Sequence, residues 1–232
     1  MYRSLVARLN YLAQDRPDLS YAAKELSRHM SAPSEKDWAD LKKLGRYLVG
    51  CPRVVQKFNW QKRFEVMHAF ADSDWAGCAE TRRSTSGGLI RLGNHVIKHW
   101  STTQATVALS SAEAEYAALV KAASNLLGVR SMMEDLGVQD VPLELHSDSS
   151  AAIGIASRTG LGKLRHLEVH LLWVQQHVRN NQFKLSKVLG KNNPADIFTK
   201  HLGQDDLWRH CQAVGLERRD GRSAVAPTIL AE

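Results

Sequence analysis

The sequence predicts an α/β fold in which a small helical segment precedes a mixed sheet flanked by helices. Two observations lead to this prediction. Apolar residues recur at helical spacing through residues 1–50, and from Val66 onward apolar runs of strand length alternate with helical stretches. The chain has 232 residues, of which 44% are hydrophobic. That is enough to fill at least one core.

Helices are predicted over most of the first part of the chain. Pro17 occupies a position at which a helix can begin, and apolar residues follow it at helical spacing. Ser34 and Asp37, three residues apart, have the pattern of a capping box and open a further helix that ends at Gly50. Residues 51–65 form a short stretch without a clear periodic pattern, so we expect a connector there.

Five strands are predicted after the connector, at residues 66–71, 88–92, 95–100, 143–146 and 183–189. A Gly93-Asn94 turn joins the second and third strands into a hairpin. A long helix is expected from about Ser111 to Leu136, and shorter helices are expected from Ala151, over residues 166–178 and from Pro194. Three antiparallel strands followed by alternating helices and strands predict a mixed sheet.

Positive charge is concentrated at the start of the chain. Residues 1–65 hold 13 Lys and Arg against 7 Asp and Glu, a net +6, while the whole chain carries +7. A basic region of this kind favours a polyanionic partner such as nucleic acid. A solvated helix surface rich in Lys and Arg would have the same charge, so both interpretations remain open.

Several carboxylates fall at the ends of predicted elements. Asp72 ends the first predicted strand and Asp148 the fourth, and ligand sites of α/β sheets form at such strand ends. Asp196 lies in the first turn of the last predicted helix. Clustered carboxylates repel one another unless cations neutralise them, and hard oxygen ligands suit Mg²⁺. The alternative is that Asp148 and Asp196 cap the helices that follow them.

Spacing alone leaves two assignments open. Asp72 and Asp74 alternate onto the same face of a strand, so either can point into the crevice. On the long helix, Glu113 and Glu115 flank the apolar stripe at similar angles on opposite sides, so only one can face the strand ends.

Six segments carry a family resemblance: ADSDWAG (71–77), RRSTSGG (82–88), TVALSSAEAEYAAL (106–119), SDSSAAI (147–153), RHLEVHLLWVQ (165–175) and NPADIFTKHL (193–202). They resemble the ribonuclease H domain of Ty1/copia-type retrotransposon Pol polyproteins. Residues 2–33 and 41–52 are similar to the C-terminal end of the reverse transcriptase that precedes that domain. The resemblance covers about residues 1–210, with the motifs in the expected order.

The resemblance implies a ribonuclease H-like fold, whose five-stranded mixed sheet has the order 3-2-1-4-5. It also implies three regions. Residues 1–60 would be a helical remnant of the reverse transcriptase, similar to its thumb or connection, and residues 66–202 would be the nuclease domain. Residues 203–232 would be a C-terminal extension, which we expect to be partly disordered.

The resemblance implies hydrolysis of the RNA strand of RNA–DNA hybrids by two Mg²⁺ ions, for which Mn²⁺ can substitute. By motif, the catalytic and metal-binding residues are Asp72, Glu115, Asp148 and Asp196. Asp72 would bridge both ions, Glu115 and Asp148 would share one of them, and Asp196 would hold the other. Asp74 and Glu113 then become neighbouring residues.

Recognition of the hybrid requires contacts to 2′-hydroxyls and to phosphates. Candidate residues that would read the duplex are Ser84, Thr85, Ser86, Ser110 and Ser111, and candidates for phosphate contacts are Arg82, Arg83 and Lys98. Each of these has an ordinary alternative role in a turn or a cap.

The chain contains no Tyr-x-Asp-Asp polymerase motif, so we expect it not to make DNA. The missing polymerase part of the same polyprotein is a candidate partner. The alternative to an enzyme is an inactive relic that acts as a nucleic-acid-binding module, although all four acids are present. A further alternative, a zinc site at His166 and His170, lacks an evident third ligand.

The sequence predicts an intracellular protein without a membrane partner. No apolar run approaches the ~18 residues of a membrane span, and the first residues lack a signal-peptide pattern. Three scattered cysteines suit a reducing compartment. With the resemblance, the expected locations are the cytoplasm, a virus-like particle or the nucleus.

Overall fold

Three α-helices open the chain in a computed structural model that describes residues 1–62, 65–160, 162 and 169–221. They are α1 (Tyr2–Asp15), α2 (Ser20–Ser27) and α3 (Glu35–Gly50). The predicted capping box is confirmed at α3, where the Ser34 hydroxyl accepts from the Asp37 N–H and the Asp37 carboxylate accepts from the Ser34 N–H. Pro17 opens a 3₁₀ turn between α1 and α2, because proline can begin a helix but cannot continue one.

The described residues form seven strands: β1 (Val54–Gln56), β2 (Met67–Asp74), β3 (Thr85–Leu92), β4 (His95–Thr103), β5 (Leu143–Ser147), β6 (Lys184–Lys187) and β7 (Leu216–Arg218). Five of them make one sheet in the order β4-β3-β2-β5-β6. β2 pairs antiparallel with β3 and parallel with β5, so the sheet is mixed. Counted from β2, the order is 3-2-1-4-5, which confirms the predicted topology.

Helices cover both faces of this sheet. One face packs against α4 (Ser111–Asp135), α5 (Ser150–Ser157) and α6 (Trp173–Arg179). The other packs against a 3₁₀ helix at Pro194–Phe198 and α7 (Gln204–Ala213). Side chains alternate along a strand, so β2 sends Ala69 and Ala71 toward α4 and sends Phe70 toward the 3₁₀ helix. No helix in the described ranges is long and apolar enough to cross a membrane.

The helical segment at the start of the chain contacts the outer strand β4 and the start of β3. Lys24 on α2 donates a 2.8 Å hydrogen bond to the Thr85 hydroxyl at the start of β3. His99 on β4 forms ring-nitrogen contacts of 3.2 Å with the Ser20 hydroxyl and with the Gln14 carbonyl. The His99 ring also stacks on Phe198, at 5.3 Å between centroids. The first helices therefore pack against the same elements that carry the candidate site.

Two regions differ from the sequence expectation. The connector contains β1, which pairs antiparallel with β7, and Cys211 and Val214 just before β7 are fully buried. Residues 204–218 of the C-terminal extension are thus a folded helix and strand, and residues 222–232 of the same extension, which we expect to be partly disordered, lie outside the described residues. Local pattern could not predict β1, because its three residues pair with a segment about 160 residues away.

Helix boundaries also differ in the second half of the chain. Of the helix predicted over 166–178, the first three residues lie outside the described ranges, and so does His166 of the alternative zinc pair. The rest of that stretch forms a 3₁₀ turn at Val169–Leu172 and then α6. The helix predicted from Pro194 is a 3₁₀ helix of five residues.

Candidate active site

Three aspartates from separate parts of the chain converge at one edge of the sheet. Asp72 lies near the end of β2, Asp148 directly follows β5, and Asp196 lies in the 3₁₀ helix at 194–198. Each of them offers a carboxylate oxygen within 4.8 Å of the others. Asp72 and Asp196 are 2% and 8% exposed, while Asp148 is half-buried, so the cluster is open to solvent on one side.

The topology explains this convergence. β2 and β5 are parallel neighbours, so their carboxyl ends lie at the same edge. The buried side chain of Asn193 donates a 2.9 Å hydrogen bond to the Ala71 carbonyl on β2 and accepts one from the Ala195 N–H at 3.2 Å. Asn193 therefore caps the 3₁₀ helix and attaches it beside Asp72, which brings Asp196 to the strand ends.

The alternative in which Asp148 and Asp196 serve as helix caps is wrong. Ser149 caps α5, because its hydroxyl accepts from the Ala152 N–H at 3.1 Å, and Asn193 caps the 3₁₀ helix. Both aspartates are left facing the cluster.

Glu115 is the glutamate of α4 that faces the strand ends. One of its carboxylate oxygens accepts from the Ser73 N–H at 3.4 Å, and the other is buried with no hydrogen-bond partner among the described residues. Glu113 instead accepts from the Leu109 N–H at 2.8 Å, while its own N–H donates to the Ser110 hydroxyl at 3.2 Å. Helical spacing left open which of the two glutamates faces the strand ends. The structure assigns Glu115, because its carboxylate meets the backbone of β2, whereas that of Glu113 meets the loop before α4.

Burial and the charges of neighbouring acids raise the pKa values of Asp72, Glu115 and Asp148. Desolvation raises the pKa of Asp72 to about 7, with Asp196 adding to the rise and Lys200 opposing it. Desolvation also raises the pKa of Glu115 to about 8, and the charges of Asp72 and Asp148 contribute. The pKa of Asp148 is raised by burial and by Asp196. Without a cation, Asp72 and Glu115 therefore hold their protons to a higher pH than ordinary carboxyl groups do.

Two neighbours of the cluster were not identified from the sequence. Lys200 places its ammonium 3.0 Å from Asp196 and 3.8 Å from Asp72, and the Thr199 hydroxyl donates to Asp72. Burial lowers the pKa of Lys200, but the adjacent carboxylates outweigh burial and raise it. A signal was present in the sequence, because Lys200 follows Asp196 by four residues, the spacing of one helical turn.

The donor set fits hard divalent cations. Every candidate ligand is a carboxylate, and one oxygen of Asp196, like one of Glu115, is buried without a hydrogen-bond partner in the described part of the chain. Buried polar atoms normally have partners, so these two carboxylate oxygens are available as ligands for a divalent cation. Lys200 supplies only part of the positive charge that four carboxylates need.

Comparison with known proteins identifies the family. The chain is 31% identical over 220 residues to the retrovirus-related Pol polyprotein from transposon RE2 of Arabidopsis thaliana. It is 28% identical over 217 residues to that from transposon TNT 1-94 of Nicotiana tabacum. The chain belongs to the copia-type retrotransposon Pol polyproteins. The family resemblance stated from the motifs is confirmed.

The matches cover 93% of this Pol chain but only 15% of the RE2 polyprotein and 16% of the TNT 1-94 polyprotein. No protein-family model matches the chain. Among solved structures, it is similar to LC11-RNase H1, crystallised in complex with an RNA/DNA hybrid. That likeness has a TM-score of 0.39 at 14% identity and covers 57% of this chain and 93% of the other.

Three of the predicted duplex contacts are buried in this Pol chain. The hydroxyls of Ser84, Thr85 and Ser86 accept hydrogen bonds from the Ala76 N–H, from Lys24 and from Gln104, and each of the three residues is at most 4% exposed. Their burial argues against direct contact with a duplex, because β3 lies between β2 and β4 in the sheet and the three hydroxyls already bind other parts of the protein.

The remaining predicted contacts have accessible side chains. Arg82, Arg83, Lys98 and Ser111 are exposed, and Ser110 is half-buried as the cap of α4. Arg82 and Arg83 lie in the loop between β2 and β3, whereas Lys98 lies on β4. Their roles as contacts stay predictions.

Proposed function

We propose that this chain is the ribonuclease H part of a Pol polyprotein and hydrolyses the RNA strand of RNA–DNA hybrids. The observation that supports this most strongly is the convergence of Asp72, Asp148 and Asp196 within 4.8 Å, with Glu115 beside them. No other arrangement in the described residues combines so many carboxylates at the end of a parallel strand pair. The family and the strand order support the same assignment.

Asp72, Glu115, Asp148 and Asp196 would hold two Mg²⁺ ions. Bound Mg²⁺ would supply Lewis acidity for a water nucleophile and for the phosphate oxygens of the RNA strand. Mn²⁺, which accepts the same oxygen ligands, is expected to substitute.

The chain's own residues prepare this site. Asn193 and Thr199 hold the 3₁₀ helix and Asp72 in a fixed relation, so the carboxylates do not have to be assembled when substrate binds. The half-exposed ammonium of Lys200 offsets the negative charge that would otherwise repel a phosphate backbone. Because Asp72 and Glu115 have raised pKa values, they must release protons when a cation binds.

The exposed basic side chains are the proposed contacts to the hybrid. Arg82 and Arg83 would meet phosphates near the acids, and Ser111 would contact the duplex from the start of α4. The missing polymerase part of the polyprotein is the proposed protein partner, and the chain itself is proposed not to make DNA. Intracellular location stays a proposal.

A hybrid-cleavage assay tests the proposed function. Labelled RNA–DNA hybrid, RNA duplex and DNA duplex are incubated with the purified chain in Mg²⁺, beside Asp148→Asn and the control Asp135→Asn, an exposed residue at the end of α4. We expect cleavage of the RNA strand of the hybrid by the original chain and by Asp135→Asn, and loss of it in Asp148→Asn.

Hybrid binding without cleavage by the original chain would overturn the proposal and favour the inactive nucleic-acid-binding module. Equal cleavage by the original chain and Asp148→Asn would also overturn it, because the acid cluster would then have no role. Mn²⁺ in place of Mg²⁺ is expected to support cleavage of the same strand.

A further inference from the structure

A second group of potential metal ligands lies on the same face of the sheet as Asp72. His68 on β2 and Glu144 and His146 on β5 each offer one atom within 4.8 Å of the others. The His68 Nδ1 lies 3.1 Å from the His146 Nε2 and 3.5 Å from the Glu144 Oε2, and the last two atoms are 3.9 Å apart.

These separations match those of ligands around one tetrahedral ion. With metal–ligand distances of about 2.0 to 2.1 Å, two ligand atoms of a tetrahedral zinc site lie about 3.4 Å apart. The three observed distances fall on both sides of that value. The side chains are 14% to 25% exposed, so an ion can reach them from solvent.

The surroundings orient the three donors. The other carboxylate oxygen of Glu144 accepts from the Ser186 hydroxyl and lies 3.3 Å from Lys184, which leaves Oε2 directed at the imidazoles. The His146 ring stacks on Phe70 with 4.5 Å between centroids and an angle of 12° between planes. Partners that fix the orientation of metal ligands in this way are typical of built metal sites.

We propose that His68, Glu144 and His146 bind one zinc-class divalent ion. Two imidazole nitrogens and one carboxylate oxygen are the donors that Zn²⁺ and Co²⁺ prefer, whereas Mg²⁺ prefers oxygen alone. Three protein ligands leave a fourth position for water. The ion links β2 to β5 and is independent of the nuclease activity proposed above.

Cobalt titration tests the site. The purified chain, freed of metal by chelation, is titrated with Co²⁺ and followed by visible absorption, where four-coordinate Co²⁺ absorbs far more strongly than the six-coordinate ion. We expect a saturable band at one equivalent that Zn²⁺ displaces. His68→Ala and His146→Ala are expected to weaken Co²⁺ binding by at least about a hundredfold.

Two controls separate this site from others. His177→Ala removes an imidazole that contacts only Trp173 of its own helix among the described partners, so the band should remain. Asp148→Asn damages the acid cluster, and the band should remain there too. As a measurement independent of spectroscopy, Zn²⁺ should raise the melting temperature of the original chain and of His177→Ala but not of His68→Ala.

No band in the original chain would overturn the proposal and reduce the contact to a hydrogen bond between two imidazoles. A band that persists in both His68→Ala and His146→Ala would overturn it as well, since the ion would then bind elsewhere. Circular dichroism of each variant establishes that it folds, so that a lost band reports lost ligands.

Discussion

The acid cluster (Asp72, Glu115, Asp148 and Asp196) and the histidine cluster (His68, Glu144 and His146) both use β2 and the region of β5, yet they offer different atoms. His146 and Asp148 are separated by one residue, a distance of about 7 Å along an extended strand. At one end all donors are carboxylates, which suit Mg²⁺, and at the other two are imidazoles, which suit Zn²⁺. The sheet therefore provides the positions, and residue type decides which ion each position can hold.

The clusters also differ in how they are assembled. The histidine cluster comes from two neighbouring strands alone, so strand register brings it together. The acid cluster also needs Glu115 from α4 and Asp196 from the 3₁₀ helix at 194–198, which must dock on the sheet. Loss of the contacts that dock α4 and the 3₁₀ helix on the sheet should therefore damage the acid cluster and leave the histidine cluster intact.

The largest expected effect is a difference in hybrid cleavage between variants of the two glutamates of α4. Glu115→Gln should reduce Mg²⁺-dependent hybrid cleavage on the order of a hundredfold or more, because it removes a charge from the acid cluster. Glu113→Gln keeps an oxygen that can accept from the Leu109 N–H, so cleavage should change little. Steady-state rates of both variants, measured at one Mg²⁺ concentration, check this prediction; equal losses would contradict the assignment of Glu115.

The next effect is a pH dependence of stability in the absence of divalent ions. The folded-state pKa values of Asp72 and Glu115 are raised to about 7 and about 8, so the folded chain binds protons more tightly than the unfolded chain. That stability is fully present below about pH 4 and is lost as the pH rises through 7 and 8. We expect the free energy of unfolding in EDTA to fall by several kcal/mol between pH 5 and pH 9, at about 1.4 kcal/mol for each pH unit over which only the folded chain keeps a proton.

Urea unfolding at several pH values measures this fall. Glu115→Gln removes one of the two groups, so its stability should decline less steeply with pH. A steeper decline, or stability that rises with pH through 8, would be inconsistent with protonated acids in the folded cluster.

Removal of the Asn193 side chain should affect the acid cluster, which depends on docking of the 3₁₀ helix, and not the histidine cluster, which depends on strand register. Asn193→Ala leaves the buried Ala71 carbonyl without its partner and removes the cap of the 3₁₀ helix, which should cost about 1 to 2 kcal/mol. Mg²⁺ affinity should fall with it, while Co²⁺ absorption at His68 and His146 should persist. Calorimetry measures the Mg²⁺ affinity of Asn193→Ala, and the cobalt titration measures its Co²⁺ binding. Loss of binding of both metals would show that the two clusters are not assembled separately.

The smallest effects come from the lysine beside each cluster. Lys200 is 43% exposed and lies near two carboxylates, so Lys200→Met should lower metal-free stability by about 1 kcal/mol. Lys184 is 76% exposed and lies 3.3 Å from Glu144, so Lys184→Met should change stability by only a few tenths of a kcal/mol. Thermal unfolding in EDTA compares the two, and a larger loss in Lys184→Met would reverse the comparison.

Local pattern predicted much of this protein. The capping box at Ser34, the hairpin around Gly93-Asn94 and the long helix from Ser111 each depend on residues close together in sequence, and the structure has all three. Motif resemblance added the family and the strand order. These features follow from the sequence because turn chemistry, capping and hydrophobic period act over a few residues.

Tertiary structure decided the features that depend on distant partners. It paired β1 with β7, and it turned Glu115 rather than Glu113 toward the strand ends. It also buried the three hydroxyl residues at the start of β3 and placed Lys200 near two aspartates. It also placed His68 beside His146, a pair with no shared motif. Such contacts depend on the distance between residues that are far apart in the sequence, and that distance is set only when the strands pair and the helices pack on the sheet.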